Sequence, residues 1–102
     1  MWQLIDSRDV KGFTINTYVE PETYDPANDI KDEGVLDDIY EYRMEWFRVM
    51  VTANKANVEL AEAHLGGCCY ITHQSFIGCF DWTDMVETAI TEARQVIEEL
   101  KK

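Results

Sequence analysis

The chain has 102 residues, of which 46% are hydrophobic and 12% aromatic, and its 20 Asp and Glu against 9 Lys and Arg give a formal net charge of -11. A chain of this length can bury about two-thirds of its unfolded surface in one core, and the aromatic content argues against disorder. The charge exceeds the magnitude of about 2–8 that solubility requires. It repels nucleic acid and anionic membrane, which disfavours direct DNA binding and favours a basic partner.

Read along the chain, Trp2 to Asp6 is short and apolar and predicts a first strand, with a turn over Asp9 to Gly12. Gly12 to Glu20 alternates with period two. Phe13, Ile15, Thr17 and Val19 fall on one face, and Thr14, Asn16 and Tyr18 on the other, which predicts a second strand ended by Pro21. Residues 21–34 hold both prolines (Pro21, Pro26) with Asp25, Asn28, Asp29, Asp32 and Gly34, the composition of a loop. Val35, Leu36, Ile39, Tyr40 and Arg43 then form a helical stripe, leaving Asp37, Asp38 and Glu41 toward solvent.

Trp46 to Ala53 predicts a third strand, with Phe47, Val49, Val51 and Ala53 on one face, followed by a hairpin turn over Asn54 to Asn57. Residues 58–65 read either way. Val58-Glu59-Leu60 alternates like a strand and Ala61-Glu62-Ala63 favours a helix, but the preceding turn favours an antiparallel return strand, closed by Gly66-Gly67. A short helical turn fits His73 to Ile77. The last element is a helix, because Trp82, Met85, Val86, Ala89, Ile90, Ala93, Ile97 and Leu100 keep helical spacing. Asp81 or Thr83 can cap it, and Asp84 and Glu87 at its start are balanced by Lys101 and Lys102 at its end. The expected fold is α+β, in the order β-β-α-β-β-α, a four-stranded antiparallel sheet covered on one face by a long C-terminal helix. The chain is expected to form a single domain over residues 1–102, with no domain linker and no repeats.

No stretch approaches the roughly 20 apolar residues that span a bilayer. The start, Met1-Trp2-Gln3-Leu4-Ile5-Asp6, lacks the basic and apolar regions of a secretory leader, so the expectation is a cytoplasmic, unprocessed protein. Three cysteines, two of them adjacent at Cys68 and Cys69, do not make a disulfide framework and suggest free thiols.

The run Trp46-Phe47-Arg48-Val49-Met50-Val51-Thr52-Ala53-Asn54-Lys55, continued by Val58-Glu59-Leu60 and by Leu65-Gly66-Gly67-Cys68-Cys69-Tyr70, resembles a group of small acidic proteins encoded by bacteriophages and prophages. Gly12-Phe13-Thr14-Ile15 and Asp84-Met85-Val86 fit the same pattern. The resemblance implies a phage origin and a location in the host cytoplasm, and it transfers no catalytic residue.

From Glu20 to Glu45 ten acidic residues face only Lys31 and Arg43, so this segment holds eight of the eleven excess negative charges. It is either a solvated face or a docking surface formed by Glu22, Asp25, Asp29, Asp32, Glu33, Asp37, Asp38, Glu41 and Glu45 for a host protein with a basic groove. Carboxylates three or four apart on a helix lie about 5–6 Å apart, against one charge per roughly 1.7 Å along duplex DNA. A loop and helix of this kind can therefore imitate part of a DNA field, as phage inhibitors of host defence enzymes do. Asp25, Asp29 and Asp32 do not follow calcium-loop spacing.

His64, Cys68, Cys69, His73 and Cys79 offer zinc-type ligands but no C-x-x-C pair, and an acidic protein raises a thiol's pKa, which disfavours a cysteine nucleophile. No metal, cofactor or catalytic residue is expected. Among the aromatics, Trp2, Phe13, Tyr18, Tyr40, Trp46, Phe47, Tyr70, Phe76, Phe80 and Trp82 read mostly as core, with exposed interface anchors at Trp46, Tyr18 and Tyr42 as the less favoured alternative. The function that follows is non-enzymatic: binding and modulation of a host protein. The alternative is a structural or homo-oligomeric phage accessory, a homodimer for example, whose acidic face serves solubility alone.

Overall fold

The computed structural model describes residues 1–101, arranged as four strands and two α-helices in the expected order. Strands β1 (Gln3–Val10), β2 (Phe13–Pro21), β3 (Glu45–Lys55) and β4 (Val58–Tyr70) form one antiparallel sheet in sequence order. Helix α1 (Glu33–Tyr40) is inserted between β2 and β3, and helix α2 (Phe80–Leu100) follows β4 and covers one face. Short 3-10 turns occupy Pro26–Asn28 and His73–Phe76.

The alternation read from the sequence sets the core. Phe13, Ile15, Thr17 and Val19 of β2 and Phe47, Val49, Val51 and Ala53 of β3 all point to the covered face and are buried. They meet Trp82, Met85, Val86, Ala89, Ile90 and Ala93, the apolar stripe of α2. Thr17 is the polar exception on that face. Its hydroxyl accepts the Trp82 indole N–H at 3.0 Å, so two buried polar groups satisfy each other across the sheet–helix interface. Arg8 lies over the same indole, 5.1 Å from the ring centre.

Both hairpins close through two-residue turns, Lys11-Gly12 and Ala56-Asn57, with positive φ at both positions, the geometry that matches strand twist. Asn54 and Lys55, expected in the turn, remain in β3.

Further expectations are corrected. Residues 58–65 are strand, but Gly66-Gly67 does not close it: β4 runs on to Tyr70. Leu65 pairs with Val49 and Cys68 with Phe47, so the two glycines face the single residue Arg48 in a β-bulge. The cap of α2 is neither Asp81 nor Thr83 but Cys79, whose sulfur accepts the Trp82 N–H at 3.5 Å. The α1 stripe is shorter than the periodicity suggested, since the helix ends at Tyr40, leaving Arg43 outside it and Tyr40 exposed, and Phe80 is likewise exposed rather than core. The charges of α2 are not balanced: within its limits Asp81, Asp84, Glu87, Glu92, Glu98 and Glu99 face only Arg94.

Candidate acidic interface

The acidic segment forms a lobe at the end of the sheet where β2 leaves and β3 enters. It is built around Trp46. The Trp46 indole N–H donates to the Tyr24 carbonyl at 3.0 Å, and the Tyr24 ring packs edge-on against it with centroids 5.5 Å apart. The bulge in β4 forms the seat. The Gly67 N–H donates to Glu22 Oε2 at 2.9 Å, and a side chain at Gly67 would meet Tyr24 Oη at 2.6 Å and Asp29 Oδ2 at 3.2 Å. Gly67 also has φ +65°. A glycine is required there twice over, by backbone conformation and by the closeness of the loop.

Four of the nine predicted carboxylates, Glu22, Asp25, Asp29 and Asp32, are held by neutral donors. Asp25 accepts from the Ala27 N–H at 2.9 Å and from the Tyr40 hydroxyl at 2.7 Å. Those two bonds, the phenol's first, hold its carboxyl below the usual Asp range. Asp29 accepts from the Tyr24 hydroxyl, and that hydrogen bond, reinforced by burial and by the carboxylate's charge, pushes the phenol up to about 12. Asp25 in turn raises the Tyr40 phenol. Asp32 caps α1, accepting from the Gly34 and Val35 N–H groups at 2.9 and 3.1 Å. Glu22 is bound by Gly67 and by its neighbour Thr23.

Three of the predicted residues are differently placed. Asp38 and Glu41 both pair with the Arg43 guanidinium, which offsets part of their charge. Glu45 turns to the other side of β3 and accepts from the His73 N–H at 2.7 Å and from its ring Nδ1 at 2.8 Å. Glu33 and Asp37 are exposed, and no hydrogen bond or ion pair ties their side chains to another described residue. Glu20, left off the predicted surface, is nearly buried and binds Arg48 and the Met1 amine. Burial works to raise its carboxyl, but those two cations outweigh burial and lower it.

The lobe ends in an unusual helix terminus. The Arg43 N–H donates to the Asp38 carbonyl and the Tyr42 N–H to the Ile39 carbonyl, a Schellman pair. The left-handed position that this motif usually gives to glycine is occupied by Tyr42, which has φ 62° and is 93% exposed. Beside it, between α1 and the ends of β2 and β3, opens a pocket of about 320 Å³ with Val19, Ile39, Tyr42, Met44, Trp46 and Phe47 on its apolar side and Met1, Glu20, Glu45 and His73 on its polar side.

The cysteines and histidines separate. Cys68 lies opposite Phe47 on the covered face and Cys69 opposite Trp46 on the other. Burial, reinforced by Asp81, pushes the Cys68 thiol up to about 12, and burial also raises Cys69. Cys79 caps α2, His64 pairs with Glu62 and His73 with Glu45. Among the described residues no three His, Cys, Asp or Glu side chains are grouped to hold a metal ion, and no helix is long and apolar enough to cross a membrane.

Compared with protein-family models, curated proteins and solved structures, the chain shows no match to any of them.

Proposed function

We propose that the protein is a non-enzymatic, phage-type binder that modulates a host protein by presenting its acidic lobe to a basic surface, in the manner of a partial DNA mimic. The observation that carries this reading is how the carboxylates are held. Glu22, Asp25, Asp29 and Asp32 are fixed by backbone N–H groups and phenols, donors that immobilise an anion without cancelling its charge. A preorganised negative surface loses less entropy when it meets a partner than a floppy acidic loop does. Glu33 and Asp37 complete the surface at its exposed rim, while Asp38 and Glu41, paired to Arg43, and Glu45, turned to His73, contribute less. The raised thiol of Cys68 disfavours a nucleophilic role and supports the same reading.

The test is capture of host proteins on the immobilised chain, with elution by salt and competition by duplex DNA. A specific basic partner should be released by rising salt, should compete with DNA, and should be lost with the Glu33→Lys, Asp37→Lys double variant. These two positions carry no side-chain hydrogen bond, so the variant should stay folded, with a melting temperature within several degrees of the wild type, the lysine at the first turn of α1 costing about 0.3–1 kcal/mol. Retention of the partner unchanged at high salt would refute the proposal.

A further inference from the structure

The geometry points to a second element of recognition at the foot of the lobe: the pocket beside Tyr42 receives one aromatic or large aliphatic side chain of the partner, from a segment that carries Lys or Arg on either side. This inference rests on the proposed function and adds the anchor that a charged surface alone lacks.

Three observations converge on it. The first is size and character. About 320 Å³ is at the lower limit of ligand pockets, which range over about 300–1,000 Å³. That suits a single side chain rather than a nucleotide or an extended ligand. Val19, Ile39, Met44, Trp46 and Phe47 supply apolar walls, and methionine adapts to the shape of what it contacts. The second is Tyr42. A tyrosine held in the left-handed region where glycine is favoured, the residue 93% exposed, costs stability and adds nothing to the core. Exposed aromatics at a pocket rim are the residues that dominate binding energy at interfaces. The third is charge. Glu20 and Glu45 line the pocket beside Met1 and His73, and the segment from Glu20 to Glu45 that borders it carries eight of the eleven excess negative charges, so the chain flanking an inserted side chain meets a net negative surface and is selected to be basic.

The test titrates isotope-labelled protein with four probes and follows backbone amide shifts: the peptide Lys-Lys-Trp-Lys-Lys, its Lys-Lys-Ala-Lys-Lys and Gly-Gly-Trp-Gly-Gly counterparts, and free indole. The tryptophan peptide with basic flanks should shift the amides of Ile39, Tyr42, Met44 and Phe47 and bind about fivefold or more tightly than the alanine peptide. Tyr42→Gly should erase most of that difference without lowering the melting temperature, an outcome that misfolding cannot produce. Equal binding of the tryptophan and alanine peptides would overturn the pocket while leaving the acidic surface standing. Equal binding of the glycine-flanked and lysine-flanked peptides would overturn the basic flanks, and the acidic-surface reading with them. Indole binding as well as the full peptide would make the occupant a small molecule. Concentration-dependent self-association with shifts at the same amides would make it a second copy. Either result overturns the inference, as does the absence of shifts at those amides at about 1 mM peptide, the affinity expected of a single anchor.

Discussion

Gly66 and Gly67 are neighbours in sequence with different physical duties, and the difference can be measured. At Gly67 the backbone has φ +65°, and an added Cβ would approach Tyr24 Oη to 2.6 Å. Neither condition is relieved by a small shift, because Tyr24 is wedged against Trp46 and bonded to Asp29. At Gly66 no positive φ adds to the cost, and the Cβ would sit 3.0 Å from Glu22 Oε2, a single side-chain contact that a shift of a few tenths of an ångström relieves. Gly67→Ala should therefore destabilise the protein by at least about 2 kcal/mol and Gly66→Ala by about 1 kcal/mol or less, read from denaturant midpoints. Equal costs would mean that the lobe is not seated on the bulge. The same pair shows what the sequence could and could not reveal. A diglycine was visible, and a turn is its commonest meaning. That it marks a bulge inside a continuing strand depends on the loop from residues 22–29 lying against it, a contact some forty residues distant in sequence.

At the scale of elements, what was legible is what repeats. The period-two faces of β2 and β3 and the helical stripe of α2 placed nearly the whole core. What was not legible is where elements end, because ends are fixed by single contacts: the sulfur of Cys79 at the start of α2, the Schellman bonds at the end of α1. Counting charges locates the acidic segment but does not show which carboxylates are free. The latches in that lobe make a prediction about pH. Asp25 is depressed below its ordinary value of 3.8, so its contribution to stability is present above that value and is lost as pH falls through its lower, folded value. Tyr24 and Tyr40 are raised above their ordinary 10.0, so the stability they contribute is present below pH 10.0 and is lost as pH rises through their higher folded values, about 12 for Tyr24. The lobe is thus fully latched between the two limits. An ultraviolet phenolate titration should show a late component above pH 10.0 that Tyr24→Phe and Tyr40→Phe each reduce. If the variants leave the curve unchanged, these hydroxyls do not hold the lobe.

For the molecule as a whole, the charge is not uniform. Residues 1–19 hold Asp6 and Asp9 against Arg8 and Lys11, and residues 46–79 hold Glu59 and Glu62 against Arg48 and Lys55, so both stretches are neutral. The entire excess lies in the acidic lobe and in the C-terminal segment that contains α2, which remains negative after Arg94, Lys101 and Lys102 are counted. Two like-charged bodies joined by a neutral sheet repel each other and themselves, and that repulsion opposes the compact state. Salt should relieve it. The screening length falls from about 30 Å at 0.01 M to about 10 Å at 0.1 M, shorter than the 52 Å longest dimension of the molecule. Salt also weakens the exposed ion pair of Arg43 with Asp38 and Glu41, but surface pairs contribute little. Repulsion is the larger effect, so the melting temperature should rise with added sodium chloride, by about 4–8 °C for each kcal/mol recovered. The Glu33→Lys, Asp37→Lys variant removes charge from the lobe alone. Relieved repulsion offsets the lysine at the first turn of α1, and the variant should respond less to added salt than the wild type. A melting temperature that falls with salt in the wild type would mean that the ion pairs, Arg48 with Glu20 foremost, outweigh the repulsion, and the acidic lobe would then be held together by its cations rather than in spite of its charge.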